Sequence, residues 1–301
     1  MTTDSGNESR RPPAERVAAL ARFVRDRAER GSDELPAFPG VATRLVDLLE
    51  QPDAELREVE ALVAQDAAVS AQVLRMANSL MYGGAMRIES IPHAVMRLGF
   101  RETAQVAMSA ACRALFSLED RAESEVFPEL GRALWVDSLV ASHGARLIAR
   151  EIKRGQPERV YLGAMFRDLG TLLVLKVVAR GLVRGRLRAK PDETLLRQVV
   201  ELLHADLGAR YLRRAHLPED VVQTVARHHA VDLPFDAETV DLHVVRVADG
   251  LVDRIGLSPF ATGDLGPLAL ESAFQFGLSA ERLDYFSLQF EELAAQLRAL
   301  A

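Results

Sequence analysis

The residues able to do chemistry lie mostly in the second half of the chain: a few imidazoles, several carboxylates and one arginine. An apolar run, Ala164-Met165-Phe166, ends in Arg167-Asp168 and is followed by Leu169-Gly170. Farther along come His204 and the adjacent pair His228-His229. Imidazoles and carboxylates hold divalent cations, and a bound cation activates water for attack on a phosphate. A guanidinium cannot join such a ligand set, because it stays protonated at any accessible pH and has no lone pair to offer. Arg167 therefore turns the reading of this stretch away from metal-assisted catalysis. Taken by themselves, His204, His228 and His229 read as partly buried polar residues satisfied by helix ends or carboxylates.

A second feature is basic. Between Arg180 and Lys190 stand Arg180, Arg184, Arg186, Arg188 and Lys190, with no acidic residue among them. Such a run could meet the phosphates of a nucleotide or an acidic partner. The commoner alternative is a solvated face, and with no aromatic residue interleaved, single-stranded nucleic acid is disfavoured. Gly83-Gly84 is no phosphate loop, since no Lys-Ser/Thr pair follows. Cys112 is the only cysteine, which excludes an internal disulfide and a cysteine-based zinc site. No Ser-His-Asp or Cys-His nucleophile arrangement can be argued from spacing.

Composition narrows the class. Hydrophobic residues at 49% and charged residues at 27% are ordinary for a globular chain of 301 residues. Aromatic content of 6%, with recurring Ala, Leu and Arg, favours helices over sheets. A formal charge of −6 gives no global reason to bind nucleic acid. Met1 to Gly6 is polar and lacks a signal-peptide core, and runs such as Leu172-Leu173-Val174-Leu175 are too short to span a bilayer. No membrane association is expected, and the placement expected is cytoplasmic.

The elements that must position these residues read as helices throughout. Residues 1–13 are polar and expected to be loose, and helical spacing begins with Val17, Leu20 and Val24. Leu35-Pro36-Ala37-Phe38-Pro39 is extended, because each proline restricts the residue before it. Short amphipathic helices follow through Leu45, Val59, Val73 and Val95, with Ser90 as an N-cap, then one from Glu102 to Phe116. The charged stretch Glu119 to Glu125 separates two lobes. Beyond it, a long helix carries Trp135, read as a core anchor, and others cover Met165, Leu172 to Val178, Thr194 to Leu203, Leu207 to Arg214, Val221 to His229 and Val240 to Ile255. A last amphipathic helix passes through Leu288 and Leu297. Asn78-Ser79 ends its helix at a turn, where an asparagine side chain closes backbone groups.

Several ordered motifs agree on one family. Leu35-Pro36-Ala37-Phe38-Pro39, Ala64-Gln65-Asp66 and Leu74-Arg75-Met76-Ala77-Asn78-Ser79 come first. Ile88-Glu89-Ser90-Ile91 with Leu98-Gly99 comes next, and Arg167-Asp168-Leu169-Gly170 with His204, Gly208, Leu217-Pro218 and His228-His229 comes last. The arrangement resembles the HDOD domain, a bacterial signalling module related to HD-type metal phosphohydrolases. One departure is Ala67, where the family usually has proline after the aspartate. The resemblance implies an all-α fold, an N-terminal helical bundle packed on an HD-like helical lobe. Its bounds imply a polar tail and helix over residues 1–34 and the HDOD domain over 35–235. Within that domain, lobes of 35–118 and 125–235 are expected, with a C-terminal helical extension over 236–301.

Alignment by motif places the vestiges of an HD site at Asp137, Arg167, Asp168, His204, His228, His229 and Asp249. Two expected imidazoles are missing, one replaced by Asp137 and one by Arg167. The three carboxylates cannot all stay ionised close together without a cation, and the fork of a guanidinium can bridge two of them. Arg167 is therefore expected to be the counter-charge, with neither metal nor cofactor bound. The resemblance implies a non-catalytic signalling or regulatory module that binds a protein partner or a small ligand, with the groove between the lobes as a docking place. The alternatives are a divergent metal-dependent phosphohydrolase acting on a nucleotide or cyclic dinucleotide, and a nucleotide sensor using Arg167 and the basic run.

Overall fold

The computed structural model describes residues 12–30, 37–51, 53–79, 81–83, 86–116 and 121–300. Among these residues the regular structure is helical and no strand occurs, as the composition and periodicity require. Residues 1–11 of the expected loose tail, Leu35, Pro36 and Gly84 fall outside the described residues, and Pro13 already opens the first helix, α1 (Pro13–Arg30). Proline suits a first turn because its missing N–H would be unpaired there anyway.

The first lobe is built from α2 (Gly40–Glu50), α3 (Leu56–Ala64), α4 (Ala67–Ala77), α5 (Ile91–Leu98) and α6 (Phe100–Cys112), which ends in a 3₁₀ turn, Arg113–Phe116. Helices α2 and α4 pack on α6, whose length is almost wholly buried. Asp66 caps α4, accepting from the N–H groups of Ala68 at 2.8 Å and Val69 at 3.1 Å, so Ala67 in place of proline leaves the start intact. Ser90 precedes α5 but makes no side-chain cap bond. Gly99, at φ 80°, turns the chain from α5 into α6 in a conformation other residues rarely adopt. The Asn78 amide donates to the Leu74 and Ile88 carbonyls and accepts from the Ile88 N–H, each at 2.8 Å, pinning the following loop back onto α4.

Of the charged stretch expected to separate the lobes, Glu119 and Asp120 lie outside the described residues, and the remainder contains α7 (Arg121–Ser124), whose Glu123 is buried. The second lobe is organised around α8 (Leu130–Ile152), buried along most of its length, with Trp135 against Phe116 at 5.1 Å between ring centroids. Around it stand α9 (Pro157–Phe166), α10 (Leu169–Val183), α11 (Glu193–Arg214), α12 (Glu219–Arg227) and α13 (Val240–Arg254). The two helices expected over 194–214 are one continuous helix, α11, because nothing between them removes a backbone hydrogen bond. The chain ends in α14 (Gly266–Gln275), which the periodicity did not suggest, and α15 (Ala280–Leu300). The latter lays Phe286 and Phe290 into the core against α8. Helix α1 crosses to α10 and α11, and Phe38 reaches Phe166 at 5.7 Å and Tyr211 at 6.3 Å. No helix among the described residues is long and apolar enough to cross a membrane.

Candidate functional site: a guanidinium among carboxylates beside three imidazoles

The site forms where α8, α9, α10, α11, α12 and α13 meet. Arg167 and Asp168 occupy the break between α9 and α10. A Cβ at Gly170 would lie 1.8 Å from the His204 carbonyl oxygen. Only glycine lets the two backbones come that close, and the contact brings His204 beside Asp168. That is the physical content of the Asp-Leu-Gly motif. Asp137 comes from the middle of α8, and Asp249 from α13.

Arg167 is wholly buried, as is Asp137. Its Nη2 donates to both Asp137 carboxylate oxygens at 2.8 Å, its Nε to Asp249 Oδ1 at 2.5 Å, and its Nη1 to the Ala164 carbonyl at 3.0 Å. Asp168 Oδ2 lies 3.3 Å from Nε. The guanidinium thus stands among three carboxylates and bridges Asp137 and Asp249. Burial pushes the Asp137 carboxyl up to about 7, helped by Asp168 and Asp249 and opposed by Arg167. Burial also pushes Asp249 upward, but Arg167 and His229 outweigh it and hold that group below the usual carboxylate range. Burial opposes the charge on Arg167, and the three aspartates more than restore it.

The imidazoles form a separate group beside Asp168. His204 Nδ1 donates to the Val200 carbonyl and His228 Nδ1 to the Val225 carbonyl, each at 2.8 Å. A carbonyl only accepts, so both Nδ1 atoms carry a proton, and in the neutral rings both Nε2 atoms carry lone pairs. These Nε2 atoms face each other at 3.2 Å. Two facing lone pairs repel, so the pair suits a bridging positive charge. Two imidazoles on one tetrahedral zinc have nitrogens about 3.3 Å apart, given bonds of about 2.0–2.1 Å. Ligand atoms of His204, His228 and His229 lie within 4.8 Å of one another, and Asp168 Oδ1 is 3.9 Å from His204 Nε2. Burial, with the neighbouring imidazoles, holds His228 well below the ordinary histidine range, which favours its neutral, ligating form. The carboxylate cluster therefore does not fit a metal, because Arg167 fills it, whereas the imidazoles fit one ion.

Two further residues matter that the motifs did not single out. Arg246, buried on α13, donates from Nε to the His228 carbonyl at 2.7 Å and from Nη2 to the Ala230 carbonyl, clamping the histidine-bearing turn. Arg146 of α8 forms a buried bidentate pair with Glu102 of α6 and reaches Gln105, with the Tyr82 hydroxyl and His143 Nδ1 each at 3.3 Å. Both stand in locally apolar stretches, Val244-Val245-Arg246-Val247-Ala248 and Ala145-Arg146-Leu147-Ile148, which is the one signal the sequence offered. The basic run looks different in three dimensions. Arg180 Nε donates to the buried Glu123 at 2.8 Å, and Lys190 Nζ to the Val126 carbonyl at 2.6 Å. Arg184, Arg186 and Arg188 also have partners within the chain. Arg180 and Lys190 thus tie this run to the stretch around α7.

The HDOD domain family model matches residues 35–231. A protein from Treponema pallidum (strain Nichols), named only as uncharacterized, is 26% identical over 218 residues. The match takes in 70% of this chain and 40% of that protein, so the chain spans well under half of that relative. Among solved structures, an HDOD domain protein of unknown function from Geobacter sulfurreducens superposes with a TM-score of 0.71 at 22% identity, covering 95% of this chain and 99% of that one. A candidate metal-dependent phosphohydrolase from Shewanella amazonensis SB2B gives 0.69 at 23% identity over 94% and 98%. A candidate signal transduction protein from Marinobacter aquaeolei VT8 gives 0.64 at 20% identity over 94% and 64%. These structural likenesses carry the helical architecture and nothing finer. With a family model spanning most of its length and that architecture in common, this chain belongs to the HDOD domain family.

Proposed function

We propose that the chain is a non-catalytic regulatory module of bacterial signal transduction, cytoplasmic, acting by binding a protein partner or a small ligand. The observation that carries this reading is the buried guanidinium of Arg167 between Asp137 and Asp249. A hydrolytic centre needs a cation with an open position for water. A tethered guanidinium supplies the charge but offers no such position. The family match and the signalling name of the Marinobacter neighbour favour the same reading.

A second reading rests on the imidazole group. A single metal ion on His204, His228 and His229 would supply Lewis acidity next to Asp168, and the chain would be a divergent phosphohydrolase acting on a nucleotide or cyclic dinucleotide. One experiment separates the two: metal content of the purified chain, then hydrolysis of bis(p-nitrophenyl) phosphate with and without added manganese. The regulatory reading expects no turnover, whatever metal is retained. Turnover abolished by Asp168→Ala would establish the enzyme.

A further inference from the structure

An open cleft of 810 Å³ lies on the second lobe, walled by the end of α8, the first turns of α9 and α13, and α12. A volume of this order suits a small-molecule ligand. Its charges are unevenly committed. Asp220 takes Arg159 at 2.7 Å and the Val221 N–H at 2.8 Å. Asp241 takes the Gln156 N–H at 2.6 Å, and Asp236 takes the N–H groups of Glu238 and Thr239. Lys153, Arg154 and Arg227 line the same cleft, are exposed, and have no side-chain partner among the described residues. Lys153, Arg154 and Arg227 therefore face the cleft unengaged together with the exposed Glu238, while Arg159 is matched by Asp220 and the oxygens of Asp236 and Asp241 are turned to backbone N–H groups. On the same wall the Phe235 ring is 37% exposed and held by His243 and Phe276 at 5.2 and 5.1 Å between centroids.

We infer that this cleft is the module's ligand site and that its ligand is a nucleoside phosphate, the phosphates meeting Lys153, Arg154 and Arg227 and the base stacking on Phe235. This rests on the regulatory reading and gives it a ligand class. It also moves nucleotide sensing from the Arg180 to Lys190 run, whose cations are engaged, to a surface where they are free. The position suits a sensor. Helix α9 begins at this cleft and ends at Arg167, about 15 Å away along its axis; α12 runs from it to His228, and α13 carries Asp249. Occupancy at one end bears on α9, α12 and α13, which lead to Arg167, His228 and Asp249.

The test is isothermal titration of the full chain with GDP, ADP and inorganic pyrophosphate. Wild type is expected to give saturable binding to all three. Arg154→Ala/Arg227→Ala should weaken each at least tenfold, while Arg184→Ala/Arg188→Ala leaves them unchanged. Phe235→Ala should weaken GDP and ADP but not pyrophosphate. No saturable binding of any probe at millimolar concentration overturns the inference. So does binding that survives the cleft variant and is lost in the basic-run variant. Pyrophosphate binding that falls in parallel with the nucleotides in Phe235→Ala removes the stacking role. A negative result here leaves the metal and hydrolysis assays untouched, so it does not decide the regulatory reading.

Discussion

Removing the guanidinium of Arg167 tests most directly how the inherited site is held together. In Arg167→Ala, Asp137 loses both of its 2.8 Å bonds and Asp249 its 2.5 Å bond, while Asp137 stays fully buried. Breaking a buried ion pair by deleting one partner costs about 3–5 kcal/mol, because the other charge is left uncompensated. At about 2–4 °C per kcal/mol for a domain of 150–250 residues, the melting temperature should fall by roughly 6–20 °C. Arg167→Lys keeps the charge but lacks the fork that bridges two carboxylates, so its loss should be smaller. The deficit should also depend on pH. Asp137 is already raised to about 7, with burial the main cause, and Arg167 is what holds it from rising further. A carboxyl whose folded pKa is raised keeps its proton in the fold below that value, and stability falls as pH climbs towards it. Arg167→Ala should therefore approach wild type near about pH 5 and fall farthest behind near about pH 8. Differential scanning calorimetry of both variants at the two pH values reads this out. Unchanged melting temperatures for both would end the counter-charge argument, and a deficit independent of pH would refute its electrostatic basis.

Three other outcomes follow from the same packing. Gly170→Ala should destabilise by about 3 kcal/mol or more in urea unfolding, since its Cβ meets the His204 backbone. Gly208→Ala should cost less, its nearest neighbour being the Val225 side chain at 3.1 Å. Arg146→Ala strands the buried Glu102 and should cost about 3–5 kcal/mol, whereas Arg210→Ala, which loses only exposed partners, should cost about 1 kcal/mol or less. Burial, then the charge of Asp249, raises Asp253 to about 7, so its ionised form burdens the fold at higher pH. Asp253→Asn should melt above wild type near about pH 8, with the gap closing towards about pH 5, as thermal melts across that range would record.

The helical class, the bounds of most helices and the family were legible in the chain because each rests on local signals. Apolar periodicity, prolines and glycines act over a few residues, and Asn78, Gly99 and Gly170 do structurally what their types allow. Two local readings failed. The break expected at residues 204–206 is bridged by the continuous α11, and Ser90 stands directly before α5, as expected, but makes no side-chain cap bond. The charged residues divided differently. That Arg167 cannot ligate a metal follows from its chemistry alone, and its proximity to Asp137 and Asp249 is what the motif alignment implied. The face-to-face Nε2 atoms of His204 and His228, the clamp from Arg246 and the pair between Glu102 and Arg146 join residues far apart in the chain. No local pattern encodes which of them meet.

The basic run illustrates the limit most clearly. Arg180 and Lys190 looked like a free cationic surface, and the fold gives them Glu123 and the Val126 carbonyl, while Lys153 and Arg154, joined by the distant Arg227, have no side-chain partner among the described residues around one cleft. Sequence by itself determined which side chains carry charge, which can ligate and where most helices lie, since those are properties of single residues and their near neighbours. Tertiary structure alone decided which charges are neutralised and which stay available. Pairing depends on distances of a few ångströms between distant segments, and helix packing sets them.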